Sequence, residues 1–185
     1  MSKILIIHPD DRSTDFLKPI YNELPNTTVI TGGISYMELR ELMHTHDQIM
    51  MMGHGSPHGL FSMGKFPNSG GYIIDSMMID LLSDRDNSVF IWCNADVFVD
   101  RYGLNGIYSG MFVSEVGEAE YCDVPSSQEQ VNESNNMFAE ILGKQLLTET
   151  SLERVYDNTN QAYRKLAETN RVAKYNQQRF YYALD

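Results

Sequence analysis

The chain has 185 residues, of which 42% are hydrophobic and 21% charged, so we expect one globular domain over residues 1–185 that buries its own core. It carries 25 acidic against 14 basic side chains, a formal net charge of −11. This balance argues against nucleic acid and anionic membranes as partners, because both need clustered cations on the protein.

The N-terminal region contains no apolar run long enough for a signal-peptide core or a membrane helix. Its longest, from Ile4 to Ile7, is strand-like instead. A cytoplasmic location is therefore the expectation. The sequence has two cysteines, Cys93 and Cys122, and in a reducing compartment such a pair is more often two thiols than a disulfide. At least one thiol is then free for chemistry.

Strands and helices alternate along the first part of the chain, where short apolar runs are separated by helical spacing of apolar residues. Ser13 and Thr14 are candidate caps of the first helix, and Ser35 of the second. The third apolar run stops abruptly at Gly53-His54-Gly55. The predicted elements are strand 3–8, helix 16–24, strand 27–31, a helix after Ser35, and strand 49–52.

The remaining part continues the alternation after an irregular, glycine-rich hairpin. The fourth strand ends on Cys93, and a short helix is expected just beyond Asn94. The predicted elements are hairpin 60–72, helix 73–82, strand 89–92, strand 106–114, helices 128–147 and 152–166, and a C-terminal tail, 171–185. This order predicts an α/β fold, a three-layer α/β/α sandwich with a mainly parallel central sheet.

Two reactive side chains follow neighbouring strands of this predicted sheet. Sites in open parallel sheets form outside the carboxyl ends of the strands, where His54 and Cys93 both stand. An imidazole near a thiol can accept its proton, which makes the pair sufficient for acyl transfer. Gly55 lets a substrate approach the backbone closely, and the amides of Gly55 and Cys93 are candidate donors to an oxyanion.

The context of these residues resembles the caspase-like fold of the clan CD cysteine peptidases, and most closely its bacterial CHAT branch. The resemblance is carried by Ile49-Met50-Met51-Met52-Gly53-His54-Gly55, by Gly59-Leu60-Phe61-Ser62, by a helix at 74–82 and by Val89-Phe90-Ile91-Trp92-Cys93. In that family an apolar strand ends in His-Gly, a hairpin follows, and the next strand ends in the nucleophile. Residues 110–114 are similar to the family's following strand, and 135–146 with 152–166 to its closing helix pair, so the likeness spans about residues 3–166.

The resemblance implies roles for the residues that match the motif. His54 would be the general base, Cys93 the nucleophile, and the Gly55 and Cys93 amides the oxyanion hole, acting on a protein or peptide substrate without metal or cofactor. Trp92 and Asn94 depart from the pattern, because the family often has a small residue before the nucleophile and Ser-Gly or Arg-Gly soon after it.

Carboxylates in the predicted loop after the fifth strand could face a basic substrate side chain, although an acidic protein has solvated carboxylates throughout. These residues are Glu115, Glu118, Glu120 and Asp123. The substrate and the oligomeric state are left open by the sequence.

Two alternatives remain at this point. Caspase-like domains can lose activity and persist as protein-binding modules, and a buried cysteine is usually an inert small hydrophobe. The segment His8-Pro9-Asp10-Asp11 is also similar to the zinc-binding strand end of LmbE-like deacetylases, with His54 and His58 as possible further ligands, but Arg12 stands where that family has Glu. A turn in which the Asp pair caps the first helix is the simpler interpretation of this segment.

Overall fold

The computed structural model describes residues 2–184, and its strands form two sheets. The strands are β1 (Ile4–Ile7), β2 (Thr27–Ile30), β3 (Gln48–Met52), β4 (Gly55–Ser56), β5 (Gly59–Phe61), β6 (Tyr72–Ile74), β7 (Ser88–Ile91), β8 (Gly106–Ser109) and β9 (Phe180–Ala183). The central sheet has the order β2-β1-β3-β7-β8-β9, in which only the β8–β9 pair is antiparallel. Strands β4, β5 and β6 form a small antiparallel sheet.

Helices connect these strands and cover the central sheet. They are α1 (Tyr36–Thr45), α2 (Ile79–Leu82), α3 (Ala95–Tyr102), α4 (Val116–Tyr121), α5 (Gln128–Thr148), α6 (Leu152–Ala167), α7 (Arg171–Gln177) and two 3₁₀ helices, Arg12–Ile20 and Ser76–Met78. Within residues 2–184 no helix is both long and apolar enough to cross a membrane.

The inner strands of the sheet, β1, β3, β7 and β8, are buried on both faces because they are largely apolar at successive positions. Leu5 and Met51 point into a core shared with α1, α2 and α3. Ile6 and Met50 point into a second core, shared with the first 3₁₀ helix, α5 and α6. This arrangement confirms the prediction of a three-layer α/β sandwich with a mainly parallel sheet.

The first helix differs from its prediction in start, cap and type. It is a 3₁₀ helix that begins at Arg12, and its N-cap is Asp11, whose side chain accepts the Ser13 amide at 2.9 Å. Ser13 and Thr14, the predicted caps, lie inside the first turn. Pro19 lies near the end of the helix. Asp11 therefore caps this helix, as the simpler interpretation of the Asp pair held.

The chain after β7 also departs from expectation. The predicted fifth strand ends at Ser109, the last residue of β8 that is paired with β9, and residues 110–114 form an irregular segment. The following residues form the short helix α4 in place of a loop. The described part of the predicted tail, residues 171–184, contributes α7 and the edge strand β9 to the fold; Asp185 lies outside the described residues.

Candidate active site

Four neighbouring parallel strands end at one edge of the sheet, and the segment after each contributes to one site. β1 leads to Asp11 and Ser13, β3 to His54, β7 to Cys93, and β8 to residues 110–114. β3 and β7 are paired through Met52 and Ile91, and the Gly53 amide donates to the Ile91 carbonyl at 3.0 Å. His54 and Cys93 therefore occupy equivalent positions on adjacent strands, each two residues beyond the Met52–Ile91 pair.

His54 is held by the turn that follows β1. Its Nε2 lies 2.6 Å from the Ser13 hydroxyl and 3.9 Å from Asp11 Oδ1. The side chain of His54 is 27% exposed, so the ring is open to solvent on one side. Hydrogen bonds from the Ser13 hydroxyl and amide hold the pKa of Asp11 below its usual range, and the nearby imidazole lowers it further. The Asp11 side chain near His54 is therefore a carboxylate at neutral pH.

Cys93 is partly buried, and its thiol donates to the Phe112 carbonyl at 3.4 Å. Burial raises the pKa of the thiol to about 12, and the negative charge of Glu118 adds to the rise. A carbonyl can accept a hydrogen bond from a thiol but offers none to a thiolate. Cys93 is therefore a neutral thiol in this state of the site.

The side chain of Trp92, which departs from the family pattern, lies in the core. Its indole is 2% exposed and packs edge-on against Phe90 and Phe98 in the core on the α1–α3 side of the sheet. The indole N–H donates to the Ser56 carbonyl at 3.2 Å, which ties β4 to the end of β7. Trp92 thus positions the segment that carries His54.

Gly55 has a structural reason to be glycine that the sequence analysis did not identify. A Cβ at this position would lie 2.2 Å from the Trp92 ring and 2.7 Å from the Gly59 carbonyl oxygen. Close approach of the indole therefore requires the missing side chain.

His54 and Cys93 border the same two depressions in the surface. One is a narrow cavity of about 20 Å³, enough for about one water molecule, lined by these two residues and by Phe16, Leu17 and Phe112 among others. The other is an open groove of about 510 Å³. The groove is lined by His54, Gly55, Phe61, Met63, Cys93, Asn94, Met111 and Glu118. An imidazole and a thiol thus border the same open groove.

The segment 110–114, which covers Cys93, is held mainly by side chains from the C-terminal part of the chain. Asn176 of α7 accepts the Val113 amide and donates to the Val113 carbonyl, both at 2.8 Å. Asn135 of α5 donates to the Ser114 carbonyl at 2.8 Å, and the Gly110 amide donates to the Arg179 carbonyl at 2.8 Å. The acceptor of the Cys93 thiol is therefore a fixed part of the structure.

The four acidic residues proposed from the sequence lie in different places. Glu118 on α4 faces the groove, where its Oε2 accepts the Ser114 amide and hydroxyl and the Glu115 amide. Glu115 caps α4 and borders a neighbouring surface depression with Ser13. Glu120 and Asp123 are exposed and line none of the depressions described above. Glu118 alone of the four therefore lines the groove with His54 and Cys93.

The residues that resemble a zinc-binding strand end are arranged differently from a metal site. Both ring nitrogens of His8 have partners, the Tyr21 hydroxyl at 2.9 Å and the Thr14 hydroxyl at 3.0 Å. Burial lowers the pKa of His8 to about 4. In the part of the chain that the structure describes, no three or more His, Cys, Asp or Glu side chains are grouped so as to hold a metal ion. His8 is thus a hydrogen-bonded core residue, and these contacts give the deacetylase alternative no support.

Sequence reasoning missed two residues of this site. Asp11 and Ser13 were interpreted as turn and cap residues, and Asp11 is indeed a cap, yet the same carboxylate also reaches His54 through Ser13. A usable signal was the sheet order: β1 and β3 are neighbours, so the turn after β1 must lie beside the residue after β3.

Comparisons of this chain with protein-family models, with curated proteins and with solved structures gave no match. The peptidase resemblance therefore remains a prediction from the residues, and the site geometry is the basis for a functional proposal.

Proposed function

We propose that this protein is a cysteine peptidase-like hydrolase in which His54 and Cys93 act as a catalytic dyad on a protein or peptide substrate. The observation that supports it best is the pairing of β3 with β7, which brings an imidazole and a thiol from adjacent strand ends to one open groove. The Asp11–Ser13 pair behind the imidazole gives His54 a defined orientation.

The proposed reaction is acyl transfer to sulfur. Cys93 Sγ bonds to the scissile carbonyl carbon while its proton passes to His54, and the Gly55 and Cys93 amides donate to the developing oxyanion. The C–N bond then breaks, and the amine leaves with the proton from His54. Water attacks the thioester with His54 as base, which releases the acid and returns a proton to sulfur.

The neutral thiol sets the order of these events. With a pKa raised to about 12, Cys93 has almost no thiolate at pH 7. Proton transfer to His54 must therefore accompany substrate binding or carbonyl attack, when the contact between the thiol and the Phe112 carbonyl is replaced. This differs from a resting thiolate–imidazolium pair.

A second candidate function is a protein-binding module without catalysis, and the buried, protonated thiol is the observation that favours it. The two functions differ in what happens to a substrate in the groove. A binding module leaves peptides intact and keeps an unreactive thiol, whereas the proposed hydrolase cleaves them through a covalent sulfur intermediate.

Peptide cleavage tests the proposal directly. The purified protein is incubated with a diverse peptide mixture, and new termini are identified by mass spectrometry. We expect cleavage by the wild type and by Cys122→Ser, the matched cysteine control, and none by Cys93→Ala or His54→Ala. Turnover that persists in Cys93→Ala would overturn the mechanism. Intact peptides together with a Cys93 thiol that resists alkylation would instead support the binding module.

A further inference from the structure

Three side chains after β1 and β3 form a continuous hydrogen-bonded chain that ends on His54. The Ser13 hydroxyl lies 2.6 Å from Asp11 Oδ1 on one side and 2.6 Å from His54 Nε2 on the other. The Ser13 amide donates to the same Oδ1 at 2.9 Å. A hydroxyl has one hydrogen to donate, so it can donate toward only one of these two neighbours.

The distances decide where that hydrogen lies. A hydroxyl oxygen and a carboxylate oxygen 2.6 Å apart repel each other unless a hydrogen is between them, and this is the usual length of a charge-assisted O–H···O⁻ bond. Ser13 therefore donates to Asp11. Its oxygen can then meet His54 Nε2 at 2.6 Å only as an acceptor, so Nε2 carries a hydrogen.

We infer that Asp11 and Ser13 are positioning residues that hold the neutral His54 ring as its Nε2–H tautomer and leave the lone pair on Nδ1. Across residues 2–184 the ring makes no hydrogen bond other than the one to Ser13, so Nδ1 is the nitrogen left to act as a base. The catalytic meaning of this arrangement rests on the proposed function. There, the proton of Cys93 Sγ would pass to Nδ1, while Nε2–H stays on Ser13 and the Asp11 carboxylate, 3.9 Å away, faces the imidazolium.

The helix start makes this arrangement rigid. Asp11 is the N-cap of the 3₁₀ helix and is fixed by the Ser13 amide, so both the carboxylate and the serine are in place before any substrate binds. The same proton count argues against Ser13 as a nucleophile beside His54, because its hydrogen is donated to Asp11 and not to the imidazole.

The experiment reads the tautomer directly, by long-range ¹H–¹⁵N correlation of the histidine rings in ¹⁵N-labelled protein at a pH where His54 is neutral. His54→Gln assigns the signal. We expect a pyrrole-type Nε2 and a pyridine-type Nδ1 in the wild type, a shift toward mixed tautomers in Ser13→Ala, and the wild-type pattern in Ser13→Thr, which keeps the hydroxyl. Ser126→Ala, which removes a loop hydroxyl bonded to a backbone carbonyl, is the matched control.

A wild-type Nδ1–H tautomer, or an unchanged pattern in Ser13→Ala, would overturn the inference. If Ser13→Ala fails to fold, the wild-type tautomer alone decides. The measurement needs no turnover, so it fails or succeeds independently of the proposed peptidase. Where peptide cleavage is observed, Ser13→Ala should lower kcat about tenfold, the effect of one lost hydrogen bond, with KM unchanged and with rescue by Ser13→Thr.

Discussion

Gly55 lies between the Trp92 ring and the Gly59 backbone carbonyl. A Cβ would meet the ring carbons at 2.2 and 2.6 Å. We expect Gly55→Ala to lower the free energy of unfolding by about 2 kcal/mol, as overpacked core positions typically do. Urea unfolding measures the change.

The matched control for this substitution is Gly117→Ala. Gly117 lies in α4, and a Cβ there would meet no atom within 4 Å. Alanine also favours the helix, so we expect a gain of about 0.5 kcal/mol. Equal effects of the two substitutions would contradict the packing described for Trp92.

Glu118 places a negative charge beside the sulfur of Cys93, which disfavours the thiolate. We expect Glu118→Gln to lower the pKa of the thiol while keeping an oxygen for the Ser114 amide. Iodoacetamide should then alkylate Cys93 faster at pH 8.5 than in the parent protein. The measurement uses a Cys122→Ser background, so that Cys93 is the one thiol in the chain.

Glu120→Gln, which removes an exposed charge from the same helix, serves as the comparison. If both variants react at the same rate, the charge of Glu118 does not act on the thiol. In the parent protein, alkylation should be slower than that of an ordinary thiol, whose pKa is about 8.5.

Single residues show how far the sequence predicts this site. His54 and Cys93 could be proposed because reactive side chains directly after apolar strands have a known destination in a parallel sheet. Ser13 and Asp11 were not assigned to His54, because their local role in the helix start accounts for both residues without it. The Ser13–His54 hydrogen bond joins residues 41 positions apart, and no local sequence pattern indicates such a contact.

One side chain of helix α7, Asn176, holds the segment 110–114 that lies next to Cys93. Asn176 is fully buried and bonds to both the amide and the carbonyl of Val113, which is itself buried. We expect Asn176→Ala to lower the free energy of unfolding by about 3 kcal/mol, because it leaves two buried backbone groups without partners. Hydrogen exchange over residues 110–114 should also speed up.

The control is Asn132→Ala on α5, where the asparagine is exposed and its amide oxygen accepts a bond from Gln128. We expect a change within about 0.5 kcal/mol at this surface position. Unchanged exchange of residues 110–114 in Asn176→Ala would show that α7 does not hold them.

Elements with a strong periodic pattern were predicted well, and those held by distant contacts were not. β3 and α5 match their predictions to within about one residue because their apolar spacing is unambiguous. Residues 110–114 are apolar and strand-like, yet they bond to α5 and α7 in place of a strand. The residues of β9 were predicted as part of a C-terminal tail, because their aromatic cluster follows a polar stretch.

At the scale of the whole molecule, one buried histidine makes the fold sensitive to acid. Burial lowers the pKa of His8 from 6.5 to about 4, so the folded state disfavours the charged ring. The unfolded chain takes up this proton below pH 6.5 and the folded chain only near pH 4. Protonation therefore favours unfolding, and the stability contributed by neutral His8 is lost as the pH falls from 6.5 toward 4.

We expect the free energy of unfolding to fall by roughly 2 kcal/mol between pH 7 and pH 5 on account of this group. Urea unfolding at the two pH values measures the difference. In His8→Gln most of that difference should disappear, whatever the stability of the variant at pH 7. His58→Gln, at an exposed position, should keep the full difference; if His8→Gln also keeps it, another group is responsible.

The position of β9 and α7 in the chain also has a consequence for biosynthesis. A ribosome makes residues 171–183 after β1, β3, β7 and β8, yet Asn176 and Arg179 supply the bonds that fix Val113 and Gly110. During translation the nascent chain thus carries both His54 and Cys93 before the bonds from Asn176 and Arg179 to this segment can form. The full set of bonds that holds residues 110–114 can form only after synthesis has passed these residues, so the groove beside Cys93 is completed late in translation.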